Sequence, residues 1–169
     1  MAGKLCLDEQ KAAYEKGNMI KNYTSTVPAA RSVAYIEQKL VDHGASNIAK
    51  RYDDQKKLVA IVFQIPRGDQ FFPIVLPARL AQVEKALRKL RSSRRQPTAE
   101  AEQRLKEQAE RTAWKILADM VDVKFTMIAL EHSELLEVFM PFLYDPRRDQ
   151  SFFEVMRDNG FKQLAAHKE

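Results

Sequence analysis

The chain has 169 residues, 45% hydrophobic and 30% charged, enough apolar material for a packed core and too much for global disorder. A single cysteine, Cys6, excludes an internal disulfide and a cysteine-rich zinc site, no run approaches the ~18 apolar residues of a membrane span, and Met1 to Leu7 lacks the apolar stretch of a signal peptide, so a soluble cytoplasmic protein without membrane contact is expected. The net charge of +5 is divided: residues 1–96 carry 18 Lys+Arg against 9 Asp+Glu (+9) and residues 97–169 carry 10 against 14 (−4), which suits a polyanionic partner on the first half or head-to-tail self-association.

Residues 1–23 read as a short helix or arm, with Gly17 and Asn18 as a break. Thr24 to Pro28 precedes a helix. Pro28 pre-sets its first turn, and Thr24, Ser25 or Thr26 is expected to supply a capping oxygen. Ala29, Val33, Ile36 and Leu40 form its apolar face, and Gly44 can end it in a left-handed cap. Three strands follow. Asn47 to Tyr52 alternates weakly, and Asp53 to Lys56 is a turn. Lys57 to Ile65 is the strongest strand, apolar on both faces and therefore central or covered on both sides. Pro66 to Asp69 turns the chain, and Phe71 to Leu76 makes a third strand, in which Pro73 argues for an edge or a bulge.

Pro77 is expected to start a second helix with Leu80, Val83, Leu87 and Leu90 facing inward. Ser92 to Pro97, a loop or a frayed helix end, is the candidate hinge. A long helix begins at Thr98, with Glu100 and Glu102 suited to its positive end. Its seam is Ala109, Ala113, Ile116, Met120, Val123, Met127 and Leu130, spaced alternately by 4 and 3. A second row, Trp114, Leu117, Val121, Phe125 and Ile128, widens the apolar face enough to need neighbours on two sides. Ser133 is expected to cap a short helix that Pro141 disturbs. Asp145 to Asp149 is a loop, and Ser151 with Glu154 has the spacing of a capping box for a last short helix closed by Asn159 and Gly160. The predicted fold is α+β: a three-stranded antiparallel sheet with flanking helices (α-β-β-β-α), plus a long C-terminal helix and two short ones. The organisation is an arm (1–23), the α-β-β-β-α portion (24–96) and a helical portion packed on it (97–169).

Chemistry has few footholds. His43, His132 and His167 are far apart, and neither a His-Glu-x-x-His pattern nor paired cysteines occur. Asp119 and Asp122 sit three apart and could share a divalent ion. Glu131, nine residues on and about 13 Å along a helix, belongs to no common cluster with them. Glu131, His132 and Glu134 are metal-capable residues at a helix junction. Asp53 and Asp54 before a strand resemble a nuclease core, but the strand lacks an internal Glu-x-Lys, and the turn reading dominates. Cys6 has no nearby histidine, and no serine sits in a Gly-x-Ser-x-Gly elbow. The expectation is a non-enzymatic protein with no metal and no cofactor.

One segment has a functional direction. Lys85, Arg88, Lys89, Arg91, Arg94 and Arg95 put six cations in eleven residues with no intervening acid, a pattern that attracts phosphates. Lys56 and Lys57 could add to it. The competing reading is that these cations solubilise a helix or pair with Glu100, Glu102, Glu107 and Glu110.

The order α-β-β-β-α over residues 28–91 resembles the double-stranded-RNA-binding domain in layout. That family's second helix begins lysine-rich, where this chain has Pro77, Ala78, Arg79 and Leu80, and layout does not fix function. Five stretches carry a broader likeness: Thr24 to Pro28; Ile36, Leu40 and His43 to Ala45; Phe72, Pro73, Leu76 and Pro77; Glu110 to Leu117; and Glu137 to Pro141. In these the chain resembles a family of small uncharacterised proteins of tailed phages and mobile elements. The resemblance implies a setting in a bacterial host cytoplasm and transfers no catalytic residue. Two functions follow as expectations: nucleic-acid association through the basic helix, or a protein-interaction module, such as a subunit of an assembly or an inhibitor of a host enzyme. The second requires an exposed apolar strip on the long helix or around Phe139, Phe142 and Phe152.

Overall fold

The computed structural model describes residues 20–90 and 97–161. The predicted arm (but for its last residues), the candidate hinge and residues Arg91, Arg94 and Arg95 lie outside them. Helix α1 spans Ala29–Asp42 and buries Ser32, Val33, Ile36 and Leu40. Among the described residues no side-chain oxygen caps it, contrary to expectation. Pro28, at φ −57°, enters the turn by its own ring geometry, and its carbonyl accepts the N–H groups of Arg31 at 3.0 Å and Ser32 at 3.3 Å. Ser25 Oγ accepts instead from Val27 N–H. At the other end Gly44 adopts φ +81°. Its N–H donates to Val41 O at 3.0 Å and that of Ala45 to Leu40 O at 2.9 Å, the paired bonds of a Schellman cap.

Strands β1 (Ser46–Tyr52), β2 (Leu58–Arg67) and β3 (Gln70–Pro77) form an antiparallel sheet in the order β1-β2-β3. Asp53 Oδ1 accepts the N–H groups of Gln55 and Lys57, both at 2.9 Å, so this carboxylate holds the turn that carries Lys56 and Lys57. Strand β2 is central, as its two apolar faces require. Ile61, Phe63 and Ile65 oppose Leu76, Ile74 and Phe72 on the inner face, while Ala60 and Val62 oppose Pro77 and Val75 on the outer face. Pro66 and Arg67 continue β2, so the turn shrinks to Gly68 and Asp69, with Gly68 at φ +59°. Pro73 is tolerated because β3 is an outer strand of this sheet. Part of that edge is covered by an antiparallel bridge from Leu143 to Ile74.

Pro77 stays in the sheet opposite Ala60, and Ala78 N–H donates to Val59 O at 2.8 Å. Arg79, at φ +52°, makes the turn instead, and helix α2 runs over Leu80–Leu90. It buries Leu87; Leu90, expected to face inward, is exposed. Helix α3, Ala99–Ala129, has 31 residues, about 46 Å at 1.5 Å per residue. Thr98 Oγ1 caps it by accepting from Ala101 N–H. Helix α4 (Leu135–Phe139) is capped by Glu134 in a box with Glu137, not by Ser133. A 3-10 turn follows at Met140–Phe142, with Pro141 inside it. Beyond it the predicted loop is flanked by two two-residue strands, β4 (Tyr144–Asp145) and β5 (Gln150–Ser151). Helix α5 (Phe152–Asp158) starts from the Ser151–Glu154 capping box and ends before Gly160 at φ +67°.

The layout is α+β. One core joins α1, the inner sheet face, α3 and α4, through Ile36, Phe63, Ile74, Trp114, Val121 and Phe139, all fully buried. Helices α1 and α3 run parallel, because their contacts advance together: Ser25 with Gln108, Lys39 with Asp122, His43 stacked on Phe125 at 3.9 Å. Helix α2 runs antiparallel to α3, with Leu87 against Leu105 and Arg88 beside Glu102. Among the described residues no helix is long and apolar enough to cross a membrane.

Candidate functional site

The basic segment is partly neutralised. Arg88 on α2 bonds at 2.7 Å both to Glu84, one turn back, and to Glu102 in the first turn of α3. The predicted alternative of pairing with downstream acids is therefore realised at this residue. Lys85 and Lys89 are exposed on the same helix. Lys56 and Lys57 are exposed in the β1–β2 turn, at the end of the sheet from which α2 departs. The structure thus leaves five of the eight candidate cations in view, on two elements, with Arg88 already committed.

The two aspartates of α3 do not converge on a shared site. Asp119 accepts from Asn22 Nδ2 at 2.9 Å and pairs with Lys21 at 3.0 Å and with Lys115. Burial pushes its carboxyl up, but the hydrogen bonds from Lys115, Asn22 and Lys21 outweigh that and hold it at about 2. Asp122 accepts from the Tyr35 hydroxyl and pairs with Lys39 at 3.2 Å, contacts that lower its carboxyl as well. Each aspartate clasps a different segment to α3. Glu131, His132 and Glu134 are exposed, and among the described residues no group of three His, Cys, Asp or Glu stands close enough to hold a metal ion.

The long helix presents a surface of a different kind. Its buried positions include Leu105, Ala109, Ala113, Leu117, Val121 and Phe125, an unbroken i+4 series. Each step of four residues turns 40° past a full revolution, so the buried stripe winds around the helix. Near its start the stripe lies under α2, where Leu87 and Val83 pack on Leu105 and Ala109. Further on it faces α1 and the sheet. The predicted seam does not wind with it. Val123 (57% exposed), Met127 (38%) and Leu130 (60%) lie in solvent, and Ile116 and Met120 are half-buried. The second predicted row, from Trp114 to Phe125, is the one in the core. Eighteen residues are five turns: Val123, Met127 and Leu130 therefore stand on the same face as Leu105, Ala109 and Thr112, beyond the reach of the eleven-residue α2. Beside this strip Lys124 turns away. Burial lowers its ammonium pKa, it donates to Val138 O, and it sits 5.5 Å from the rings of Phe139 and Phe142.

Of the other residues proposed for a strip, Phe139 is fully buried, Phe142 half-buried and Phe152 exposed. Behind Phe142, the outer sheet face and the β4–β5 hairpin enclose an open cavity of about 460 Å³.

No protein-family model, no curated protein and no solved structure matches this chain. The site is therefore built from its own geometry.

Sequence reasoning missed the residues of that cavity, Arg51, Arg79 and Tyr144 among them. They come from β1, the β3–α2 turn and β4, and only the strand register places Arg51 opposite Ala60 and Ala60 opposite Pro77.

Proposed function

We propose that the chain is a non-enzymatic interaction subunit that pairs with a second copy of itself through the outer face of α3. The carrying observation is the exposed row Val123, Met127 and Leu130 with the half-buried Ile116 and Met120, a continuation of the seam that α2 covers nearer the N-terminus of α3. An amphipathic helix laid antiparallel already satisfies the first half of this face, so a helix of the same kind satisfies the second. The spacing favours a copy of α3 itself. Counted from Val123 the apolar positions fall at −7, −3, 0, +4 and +7, nearly the same series in either direction. A two-fold axis at Val123 sets Ile116 against Leu130 of the second copy and Met120 near Met127 of the second copy, as an isologous interface demands. Lys124 is held on α4 and puts no charge on the seam.

Light scattering on the eluting protein tests this. The wild type should show twice the chain mass at tens of micromolar, and Val123→Glu should show a single chain with unchanged helical circular dichroism. A wild-type monomer throughout that range contradicts the reading.

A second reading is supported by the exposure of Lys56, Lys57 and Lys85, none of them engaged by Glu84 or Glu102 as Arg88 is: association with a nucleic acid through phosphate contacts. The resemblance to small proteins of tailed phages and mobile elements gives both readings the same setting, the cytoplasm of a bacterial host.

A further inference from the structure

The cavity on the outer sheet face has a built chemistry that the α3 seam does not use. Val75 and Pro77 of β3 form its floor, and Pro141, Phe142 and Phe153 its walls. Phe153 is 50% exposed, with the Phe161 ring tilted beside it at 5.8 Å between centroids. Four charged residues stand around these apolar surfaces: Arg51, Arg79, Asp149 and Glu154.

The four are not equivalent. Asp149 accepts the Tyr144 hydroxyl and pairs with Arg51 at 3.8 Å. Arg51 in turn lies over the Tyr144 ring, its Cζ 5.0 Å from the centroid, a stacked arrangement favourable for guanidinium. Glu154 Oε2 accepts both the N–H and the hydroxyl of Ser151 at 2.8 Å. These three are held by the protein itself. Arg79 differs. The N–H groups of Gln82 and Val83 donate to its carbonyl at 3.1 and 3.2 Å, so its backbone opens α2, but among the described residues its guanidinium makes no hydrogen bond or close ion pair; it acts at longer range on the Glu154 carboxylate, which it helps to hold below its usual value. Its φ of +52° is a conformation that glycine adopts without cost and arginine does not. The fold therefore carries, at a strained turn, a long cationic side chain that the turn does not require. That side chain borders the cavity.

The geometry points to a binding site for a small planar organic anion: a ring lying against Phe142 and Phe153, bearing one carboxylate or phosphate that meets Arg79. A free inorganic anion would leave the apolar walls unused. A neutral ring would leave the Arg79 guanidinium without a hydrogen-bonded anion, and the two carboxylates a cation would seek, Asp149 and Glu154, are already engaged by Tyr144 and Arg51 and by Ser151. The volume of about 460 Å³ lies within the usual range for small-ligand pockets. No residue of the α3 seam takes part, so the site stands or falls separately from self-association.

Calorimetric titration of the full chain with four probes tests it: indole-3-acetate and adenosine 5′-monophosphate as ring anions, inorganic phosphate and benzyl alcohol as the separated halves. At least one ring anion should bind tenfold or more tightly than either half, and the preferred one distinguishes carboxylate from phosphate. Arg79→Gly relieves the left-handed strain, so this variant should fold with an unchanged or raised melting temperature and lose that binding at least tenfold. Arg79→Gln, which keeps a long polar side chain, should lose it similarly. Amide signals of Tyr144 and Phe153 should shift on titration of the wild type alone. Ring anions that bind no better than their halves overturn the proposal, as does an Arg79→Gly protein that binds like wild type.

Discussion

Leu105 and Val123 stand on one face of α3, five turns apart, and meet opposite environments: the first is 3% exposed under α2, the second 57% exposed in solvent. The helix is the same on both sides of this boundary. What changes is the neighbour. Helix α2 ends its cover after a few turns, while the core itself winds on toward α1 and the sheet. Leu105→Ala should therefore destabilise the fold by about 2–5 kcal/mol in urea titration, as expected for a leucine cut from a packed core. Val123→Ala should change monomer stability by less than about 0.5 kcal/mol, as expected for an exposed site. Equal losses at both positions would place the core wrongly.

Asp119 gives a stability term with a definite sign. Its carboxyl is depressed from 3.8 to about 2. The folded state thus binds its proton less readily than the unfolded chain, and the stabilisation is present above the unfolded value and lost as pH falls through the folded one. A shift of this size corresponds to a contribution on the order of 2 kcal/mol at neutral pH. Asp119→Asn should lower neutral-pH stability by a comparable amount. It should also flatten the acid limb between roughly pH 4 and pH 2 in denaturant titrations. An unaltered acid limb would show that the contacts with Lys21, Asn22 and Lys115 contribute little.

Two small residues, one in α1 and one just past its end, should respond in opposite directions. A Cβ added at Gly44 meets nothing within 4 Å, so Gly44→Ala should be penalised by its φ of +81° alone, about 1–2 kcal/mol. Among the described residues Ser32 Oγ is buried without a hydrogen-bond partner, and Ser32→Ala removes a desolvated hydroxyl. That variant should be more stable, by about 1 kcal/mol, in the same assay.

For nucleic-acid association, the division among the lysines and Arg88 sets the order of effects. The triple change of Lys56, Lys57 and Lys85 to Glu should weaken binding of a labelled oligonucleotide and reduce its salt slope. Arg88→Gln, whose partners are Glu84 and Glu102, should matter less and cost stability only ~0–1 kcal/mol, as exposed pairs do. Fluorescence anisotropy across a salt series measures both. Binding that is indifferent to the triple change removes this reading.

Much of the fold was legible because it is set by local chemistry. Gly44 announced the end of α1, Thr98 the start of α3 and the Ser151–Glu154 spacing the start of α5, since each satisfies backbone groups within a few residues. The two-faced apolar strand became the central one for the same reason. The failures came where a distant neighbour decides. Two rows of equal periodicity run along α3, and only the length of α2 and the course of the core select which is buried. Pro77 suits a helix start equally well as an edge-strand end, and its pairing with Ala60 decided. Ser133 is the commoner cap type, but Glu134 with Glu137 closes a box of its own. For Arg88 the sequence left two readings open, a free cation or the partner of a downstream acid, and the fold decides by bringing Glu102 to it. The outer cavity was unreadable, because Arg51, Arg79 and Tyr144 share no spacing.

The most direct test of the central claim places a single thiol at the proposed axis. In a Cys6→Ser background, Val123→Cys should form a disulfide-linked dimer rapidly under mild oxidation. A thiol placed by Val41→Cys, on the exposed side of α1, should link slowly or not at all. Rapid, selective linkage at position 123 is the result predicted for α3 pairing with itself. Linkage at neither position, or equally at both, would contradict it.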